Sequence, residues 1–181
     1  MKVALIHDWL NGMRGGEKVL EVLCELYPEA DIFTLIYEPG KVSQTIRSHK
    51  VTASFIQRLP GARRFYRNYL PLFPAAMEQF DLRRYELVIS SSHCVAKGVV
   101  TAPGTLHVCY CHTPMRYAWE QYHEYFPEAQ LGWFKRWFIP QAMSRLRLWD
   151  AVTASRVDHF LANSAHVAAR IRRYYGREAT V

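Results

Sequence analysis

Short, mostly apolar runs separated by longer helical stretches constrain the fold of this chain more than any other feature. The apolar runs lie at residues 3–6, 31–37, 51–55, 86–89, 106–110 and 160–162. Strands that are apolar on both faces are typical of a parallel sheet with helices packed on both sides. The sequence therefore predicts an α/β fold in which one parallel sheet forms the core.

The stretches between these runs have helical spacing. Apolar residues of one predicted helix share a face from Val19 onward, and a late helix covers 141–157. Pro71 and Pro74 interrupt a helical pattern over 62–80, which predicts two short helices or a break. The pair 163–164 is expected to cap a final helix that reaches Gly176.

Composition limits the classes of protein that fit. The chain has 181 residues, of which 50% are hydrophobic, so one packed domain is expected. No apolar run approaches the roughly 18 residues that span a bilayer, and the four cysteines are expected to be reduced thiols. The net charge of +7 suits nucleic acid, an anionic membrane surface or an anionic substrate. A solvated basic face is the alternative, and it is favoured for any single basic cluster.

A glycine-rich turn follows the first predicted strand. Gly12, Gly15 and Gly16 remove side chains from the turn that opens the first helix. Free N–H groups and the positive end of the helix dipole there favour a phosphate or carboxylate. A tight turn without a ligand is the alternative, because the spacing matches neither a P-loop nor a dinucleotide fingerprint.

His107, Cys109, Cys111 and His112 form the one candidate metal motif. Alternate residues of a strand lie on one flat face, which does not favour tetrahedral closure. Buried core thiols are therefore favoured, and we expect no metal. A metal hydrolase using Cys109, Cys111 and His112 stays open as an alternative.

His112 leaves the fifth strand and begins the turn with Thr113 and Pro114. At the carboxyl end of a parallel strand it could bind a sugar hydroxyl or act as an acid or base, although a structural histidine is equally consistent. Other polar or aromatic side chains that follow the fourth and fifth strands are candidate sugar or acceptor contacts: Ser91, Ser92, Arg116, Tyr117 and Trp119.

Two segments interleave aromatic and basic residues. They contain Arg63, Arg64 and Arg67 in one segment and Trp133, Lys135, Arg136 and Trp137 in the other. Such residues are suited to the interface of an anionic membrane. A partly buried aromatic cluster with extended cations, or stacking on nucleic-acid bases, are the alternatives.

Four stretches in order resemble one known family: HDWLNGMRGGEKVLE, YELVISSSHCVAKGV, CYCHTPMRYAWE and VDHFLANSAHVAARIRRYYG. They are similar to the N-terminal half of retaining family-4 glycosyltransferases of the two-Rossmann-domain (GT-B) type. The likeness is greatest to the mannosyltransferase-like group that builds bacterial surface polysaccharides. It implies a Rossmann-like parallel sheet with helices on both faces.

The resemblance also implies site roles. Gly15 and Gly16 would approach the donor's diphosphate or sugar, and His112, the catalytic candidate, would contact a hydroxyl of the donor sugar. Transfer with retention would use front-face attack, with the acceptor hydroxyl deprotonated by the leaving phosphate. The expected substrates are a nucleotide-diphosphate sugar and a lipid-linked or saccharide acceptor, with no cofactor.

The family's nucleotide-binding basic pair and glutamate-rich motif belong to a C-terminal domain and have no counterpart here. We therefore expect residues 1–176 to form the N-terminal domain, residues 177–181 to begin an interdomain linker, and this chain alone to be inactive. The expected location is the cytoplasm, with peripheral contact to the inner face of the membrane. A basic nucleic-acid-binding α/β module is the alternative function, although we expect no nucleic-acid partner.

Overall fold

The computed structural model of the protein describes residues 1–120, 124 and 133–181. Its strands are β1 (Val3–His7), β2 (Asp31–Thr34), β3 (Val51–Ala53), β4 (Leu87–Ser92), β5 (Leu106–Cys111), β6 (His159–Ala162) and β7 (Ala179–Thr180). Its helices are α1 (Gly15–Leu26), α2 (Gln44–Arg47), α3 (Ala62–Phe65), α4 (Phe73–Glu78), α5 (Arg116–Trp119), α6 (Trp133–Thr153) and α7 (Ala165–Tyr175). Within these ranges, no helix combines the length and apolar character needed to cross a membrane.

All seven strands are parallel and form one sheet in the order β3-β2-β1-β4-β5-β6-β7. This is the order of a Rossmann-like fold, so the predicted fold class is confirmed. The chain first builds the sheet outward from β1 to β3 and then returns to place β4 on the other side of β1. Ligands of such sheets bind where the order reverses, beyond the carboxyl ends of the central strands.

Both faces of the sheet are covered. Ala4 and Ile6 of β1 pack in one buried cluster, whereas Val3 and Leu5 pack in the cluster on the opposite face. Burying one aliphatic side chain completely contributes roughly 1.5–3 kcal/mol to stability. The mostly apolar strands are thus explained by contacts on two sides, as the sequence predicted.

Several boundaries differ from those predicted. The second strand ends at Thr34, and the fourth extends to Ser92, so the serine run lies inside the strand and not after it. The prediction failed because these buried hydroxyls find partners from distant segments, such as Ser90 with the His107 ring at 2.9 Å. The break within 62–80 is confirmed: a 3-10 helix over 66–72 separates α3 from α4.

The late helix occupies 133–153 instead of 141–157, with Pro140 inside it and a 3-10 turn after it. The predicted cap of the last helix is confirmed, because the Ser164 hydroxyl accepts from the Val167 N–H at 3.2 Å. That helix ends at Gly176, whose positive φ of 63° suits glycine. Ala179–Thr180 then pair with β6, so part of the predicted linker joins the sheet; the domain boundary stays a prediction.

A buried ion pair joins the second half of the chain. Lys97 Nζ lies 2.9 Å from Asp150 Oδ1, and both side chains are almost fully buried. The same carboxylate accepts from the Trp119 indole at 2.8 Å and from the Tyr175 hydroxyl at 3.0 Å. One carboxylate of α6 therefore anchors α5 and α7, the two helices that border the site described next.

Candidate functional site

Asp8, the first residue after β1, connects the two strands at the point where the sheet order reverses. Its side chain is fully buried. Oδ2 accepts the backbone N–H groups of His93 and Cys94 at 2.7 and 3.0 Å. Oδ1 accepts those of Val95 and Ala96 at 2.6 and 2.8 Å. The carboxylate thus fixes the turn that follows β4 relative to the end of β1.

Asp8 remains ionised despite its burial. Burial opposes its negative charge, but the neighbouring His93 ring and the backbone N–H donors lower the pKa of Asp8 below its usual value. His93 Nδ1 lies 3.1 Å from Oδ2. Hydrogen bonds from several N–H groups favour the charged form of a carboxyl group.

Three histidines gather beside this carboxylate. The rings of His7 and His93 have centroids 6.0 Å apart, and those of His93 and His112 are 6.3 Å apart. Burial first, and then the nearby His93, lower the pKa of His7 to about 3 and that of His112 to about 4. His7 and His112 are therefore uncharged at neutral pH, and each ring then has one hydrogen-bond donor and one acceptor.

The glycine turn lies directly against two of these rings. A Cβ at Gly16 would be 3.3 Å from His7 Cε1 and 3.6 Å from His112 Nε2, whereas a Cβ at Gly15 would meet nothing within 4 Å. Gly16 therefore permits a close approach of α1 to the histidines. The structure brings the predicted Gly15, Gly16 and His112 to one cleft; their roles stay predictions.

That cleft, which we call the reaction cleft, has a volume of about 620 Å³. Arg14 and Arg116 line it and take part in none of the ion pairs found in the described part of the chain. Arg170 also lines it, donates to Thr113 Oγ1 at 2.5 Å and lies 2.7 Å from Glu120. The three arginines outnumber the two glutamates of the lining, so the wall has an excess of positive charge around the neutral imidazoles.

A second cavity of about 410 Å³, here the aromatic chamber, adjoins the reaction cleft. The two cavities share five lining residues: Trp9, Arg14, His93, Thr113 and Arg116. Other side chains complete the wall of the chamber: Arg67, Asn68, Leu70, Phe73 and Tyr117. The Tyr117 hydroxyl contacts the Cys94 thiol. An apolar wall with a few polar groups is typical of a small-molecule site.

Not every predicted contact residue lines these cavities. Ser91 is buried beneath His112 and bonds its ring, and Ser92 is buried where its hydroxyl accepts from the Lys97 N–H at 3.3 Å. The Trp119 indole donates to Asp150 and stacks on Tyr174 with centroids 4.7 Å apart. In this structure, the side chains of Ser92 and Trp119 therefore make internal hydrogen bonds and do not line either cavity.

The basic and aromatic segments lie on the surface. Arg63, Arg64 and Arg67 line a groove of about 430 Å³, here the basic groove, which shares Arg14 with the reaction cleft. Trp137 is 68% exposed and borders an apolar groove with Pro71 and Pro74, and Trp133 is 84% exposed. The side chains of Lys135 and Arg136 lie outside the described residues.

The cysteines of the proposed metal motif are core residues. Cys109 and Cys111 belong to β5 and are buried against α7. His107 bonds Ser90 and the Arg156 carbonyl. Among residues 1–120, 124 and 133–181, no three metal-ligating side chains are grouped to hold an ion.

The sequence reasoning missed three residues that shape the site: Asp8, His93 and Arg170. Asp8 directly follows the first strand and His93 the fourth, at the edge where a parallel sheet binds ligands. This position was the available signal. Arg170 gave none, because its partners Thr113 and Glu120 are remote in sequence.

Comparisons with known proteins give one family match and a structural similarity. The family model described as Glycosyltransferase Family 4 matches residues 13–181. Among solved structures, the chain is similar to the lipopolysaccharide outer core galactosyltransferase WaaB in its apo form. The identity is 13% and the TM-score 0.45, over 96% of this chain and 42% of that chain. The chain matches no curated protein.

We predict opposite effects for alanine at the two adjacent glycines. Gly16→Ala should lower the free energy of unfolding by roughly 1–3 kcal/mol relative to Gly15→Ala, because its Cβ overpacks the His7 and His112 rings. Gly15→Ala, with open space around it, should be neutral or slightly stabilising. Urea unfolding measures both; equal stabilities would show that α1 does not pack against the histidines.

Proposed function

The chain belongs to glycosyltransferase family 4, and we propose that it is the acceptor-binding half of a sugar-nucleotide-dependent transferase. The donor is a nucleotide-diphosphate hexose, and a second domain holds its nucleotide. The acceptor is a hydroxyl of a lipid-linked polysaccharide precursor in a bacterium. Because both halves of such a cleft position the reactants and exclude water, this chain alone is inactive in the proposal.

One observation supports this function most strongly: Gly16 and His112 meet at the carboxyl edge of the sheet. The open space around Gly15 lets a donor approach the free N–H groups that begin α1, which favour a phosphate. The neutral His112 ring beside it offers a hydrogen bond to a sugar hydroxyl. A charged group and a polar neutral group of one substrate thus find complementary partners side by side.

The proposed chemistry retains the configuration at the sugar's anomeric carbon. The bond from that carbon to the diphosphate oxygen breaks, and a bond to the acceptor oxygen forms on the same face. The acceptor's proton passes to the leaving phosphate. Arg14 and Arg116, which line the reaction cleft without an ion-pair partner among the described residues, offset the charge that develops on the diphosphate.

We assign the acceptor to the aromatic chamber. Trp9, Phe73 and Tyr117 give it apolar walls that suit the faces of sugar rings, and it opens beside His93 and Arg116. Arg67 lines both this chamber and the basic groove. An acceptor can therefore extend from the reaction cleft toward the surface along one path.

Exposed aromatic and basic side chains support peripheral contact with the inner face of the membrane. Trp133 and Trp137 are exposed, and Arg63 and Arg64 are exposed residues of the basic groove. Exposed tryptophans enter the headgroup region, and arginines bind anionic lipids. Such contact brings a lipid-linked acceptor to the chamber.

His112→Ala in the full-length transferase should lower the rate of sugar transfer by about 100-fold, because a directed hydrogen bond to the reacting sugar is lost. The assay follows sugar from a labelled nucleotide-sugar donor into the acceptor. His159→Ala is the matched control, since His159 is exposed on β6, and it should leave transfer unchanged. If His112→Ala also transfers at the normal rate, His112 has no place in the site.

For the membrane contact, we predict that this chain co-sediments with phosphatidylglycerol vesicles and not with phosphatidylcholine vesicles. Removing two arginines as Arg63→Gln/Arg64→Gln should weaken binding roughly 30-fold, at about 1 kcal/mol for each charge. The control Arg83→Gln/Arg172→Gln removes equal charge from other exposed sites. Equal weakening by both pairs would indicate diffuse attraction and no defined membrane face.

A further inference from the structure

A buried hydroxyl lies between two of the site's histidine rings. Ser91 Oγ is 3.1 Å from His7 Nδ1 and 2.8 Å from His112 Nε2. His7 and Ser91 are directly paired across β1 and β4, and both are fully buried. His112 follows β5 and lines the reaction cleft. The three side chains therefore connect the buried sheet to the cleft.

A hydroxyl has one proton and two lone pairs. If Ser91 accepted from both rings, its own buried proton would have no acceptor among the hydrogen bonds of the described residues, so one ring donates to it and the other accepts from it. In one arrangement, His7 Nδ1–H donates to Ser91, which in turn donates to His112 Nε2. His112 then has its proton on Nδ1. In the other arrangement every bond is reversed, so that His112 has its proton on Nε2 and His7 has its proton on its own Nε2.

The surroundings of His7 Nε2 distinguish these arrangements. This nitrogen is buried and has no hydrogen-bond partner. The edge of the His7 ring that contains Nε2 faces Gly16 at the start of α1. The first intrahelical bond there is donated by Lys18 N–H to the Arg14 carbonyl, so the N–H groups of residues 15–17 precede it.

The positive end of a helix dipole favours a lone pair and disfavours an N–H pointing toward it. An orphaned buried N–H group is also rarer in proteins than an under-satisfied acceptor. Both effects favour a bare Nε2 on His7. The first arrangement therefore has the lower energy.

We propose that His7 and Ser91 act as positioning residues that hold His112 as a fixed hydrogen-bond donor, with its proton on Nδ1. Nε2 of His112 is occupied by the Ser91 hydroxyl, so Nδ1–H is the polar group left for a ligand. This inference rests on the proposed function and names the group that Nδ1–H binds: an oxygen atom of the donor sugar, which accepts the hydrogen bond. His112 then orients the sugar and does not remove the acceptor's proton.

The ligand-free chain provides the test. Two-bond ¹H–¹⁵N spectra of ¹⁵N-histidine-labelled protein at pH 7 should show both His7 and His112 with the proton on Nδ1, by about tenfold over the other form. A proton on Nε2 of His112 in the unmutated chain would overturn the proposal. This reading is independent of catalysis, so it stands or falls separately from the sugar-transfer function.

Ser91→Ala should then shift His112 toward a mixture of both forms and leave His107 unchanged. Ser90→Ala is a close control, because Ser90 is equally buried in β4 and bonds the ring of His107 at 2.9 Å. It should alter His107 and leave His112 unchanged. If Ser91→Ala leaves the proton position of His112 unchanged, or if Ser90→Ala shifts it equally, Ser91 does not determine which nitrogen of His112 carries the proton.

The same pair of variants separates positioning from stability in the full-length transferase. Ser91→Ala should reduce transfer through a lower kcat/KM while the overall fold is retained, and Ser90→Ala should not. Should Ser91→Ala fail to fold, the spectrum of the unmutated chain still decides the proposal. Normal transfer by a folded Ser91→Ala variant would contradict the positioning role.

Discussion

The carboxylate of Asp8 is the interaction on which the site's geometry depends. It lies where the sheet order reverses, and it accepts four backbone N–H groups from residues 93–96. Because Asp8 directly follows His7 in β1, this one group places the end of β1 against the turn after β4. The turn in turn presents His93 beside His7 and His112. A helix dipole, a buried hydroxyl and three imidazoles meet there only because these two segments are held together.

The reaction cleft combines neutral histidine rings with positively charged arginines. His7 and His112 are buried enough to be neutral, since burial and the neighbouring His93 lower the pKa of each. Arg14 and Arg116 supply the positive charge of the wall. In the proposed function, this division matches a substrate with an uncharged sugar and a charged diphosphate. Asp150 contributes from a distance, because it binds the Trp119 indole of the helix that begins at Arg116.

The sequence predicted the parallel sheet because apolar runs without alternation require burial on both faces. It also predicted that Gly16 and His112 converge, since the carboxyl ends of parallel strands share one edge. It did not predict that the serine run lies within β4, because Ser90 and Ser91 have ring partners that only the fold brings near. Trp119 was interpreted as a sugar or acceptor contact because its partner Asp150 is remote in the chain, and nothing in the residue pattern indicates their hydrogen bond. The donors that Asp8 binds are backbone groups, which leave no trace in a residue pattern.

Urea unfolding of Asp8→Asn between pH 7 and pH 3 tests most directly whether the Asp8 carboxylate holds the site together. An amide has one acceptor oxygen, so buried donors lose their partner, and the free energy of unfolding should fall by about 3–5 kcal/mol at pH 7. Because folding lowers the pKa of Asp8, the deficit should be complete above pH 3.8 and shrink as the pH falls further. Asp81→Asn, at an exposed carboxylate paired with Arg83, should change stability little. Equal stability of the two variants at pH 7, or a deficit for Asp8→Asn that is the same at both ends of the pH range, would contradict the account.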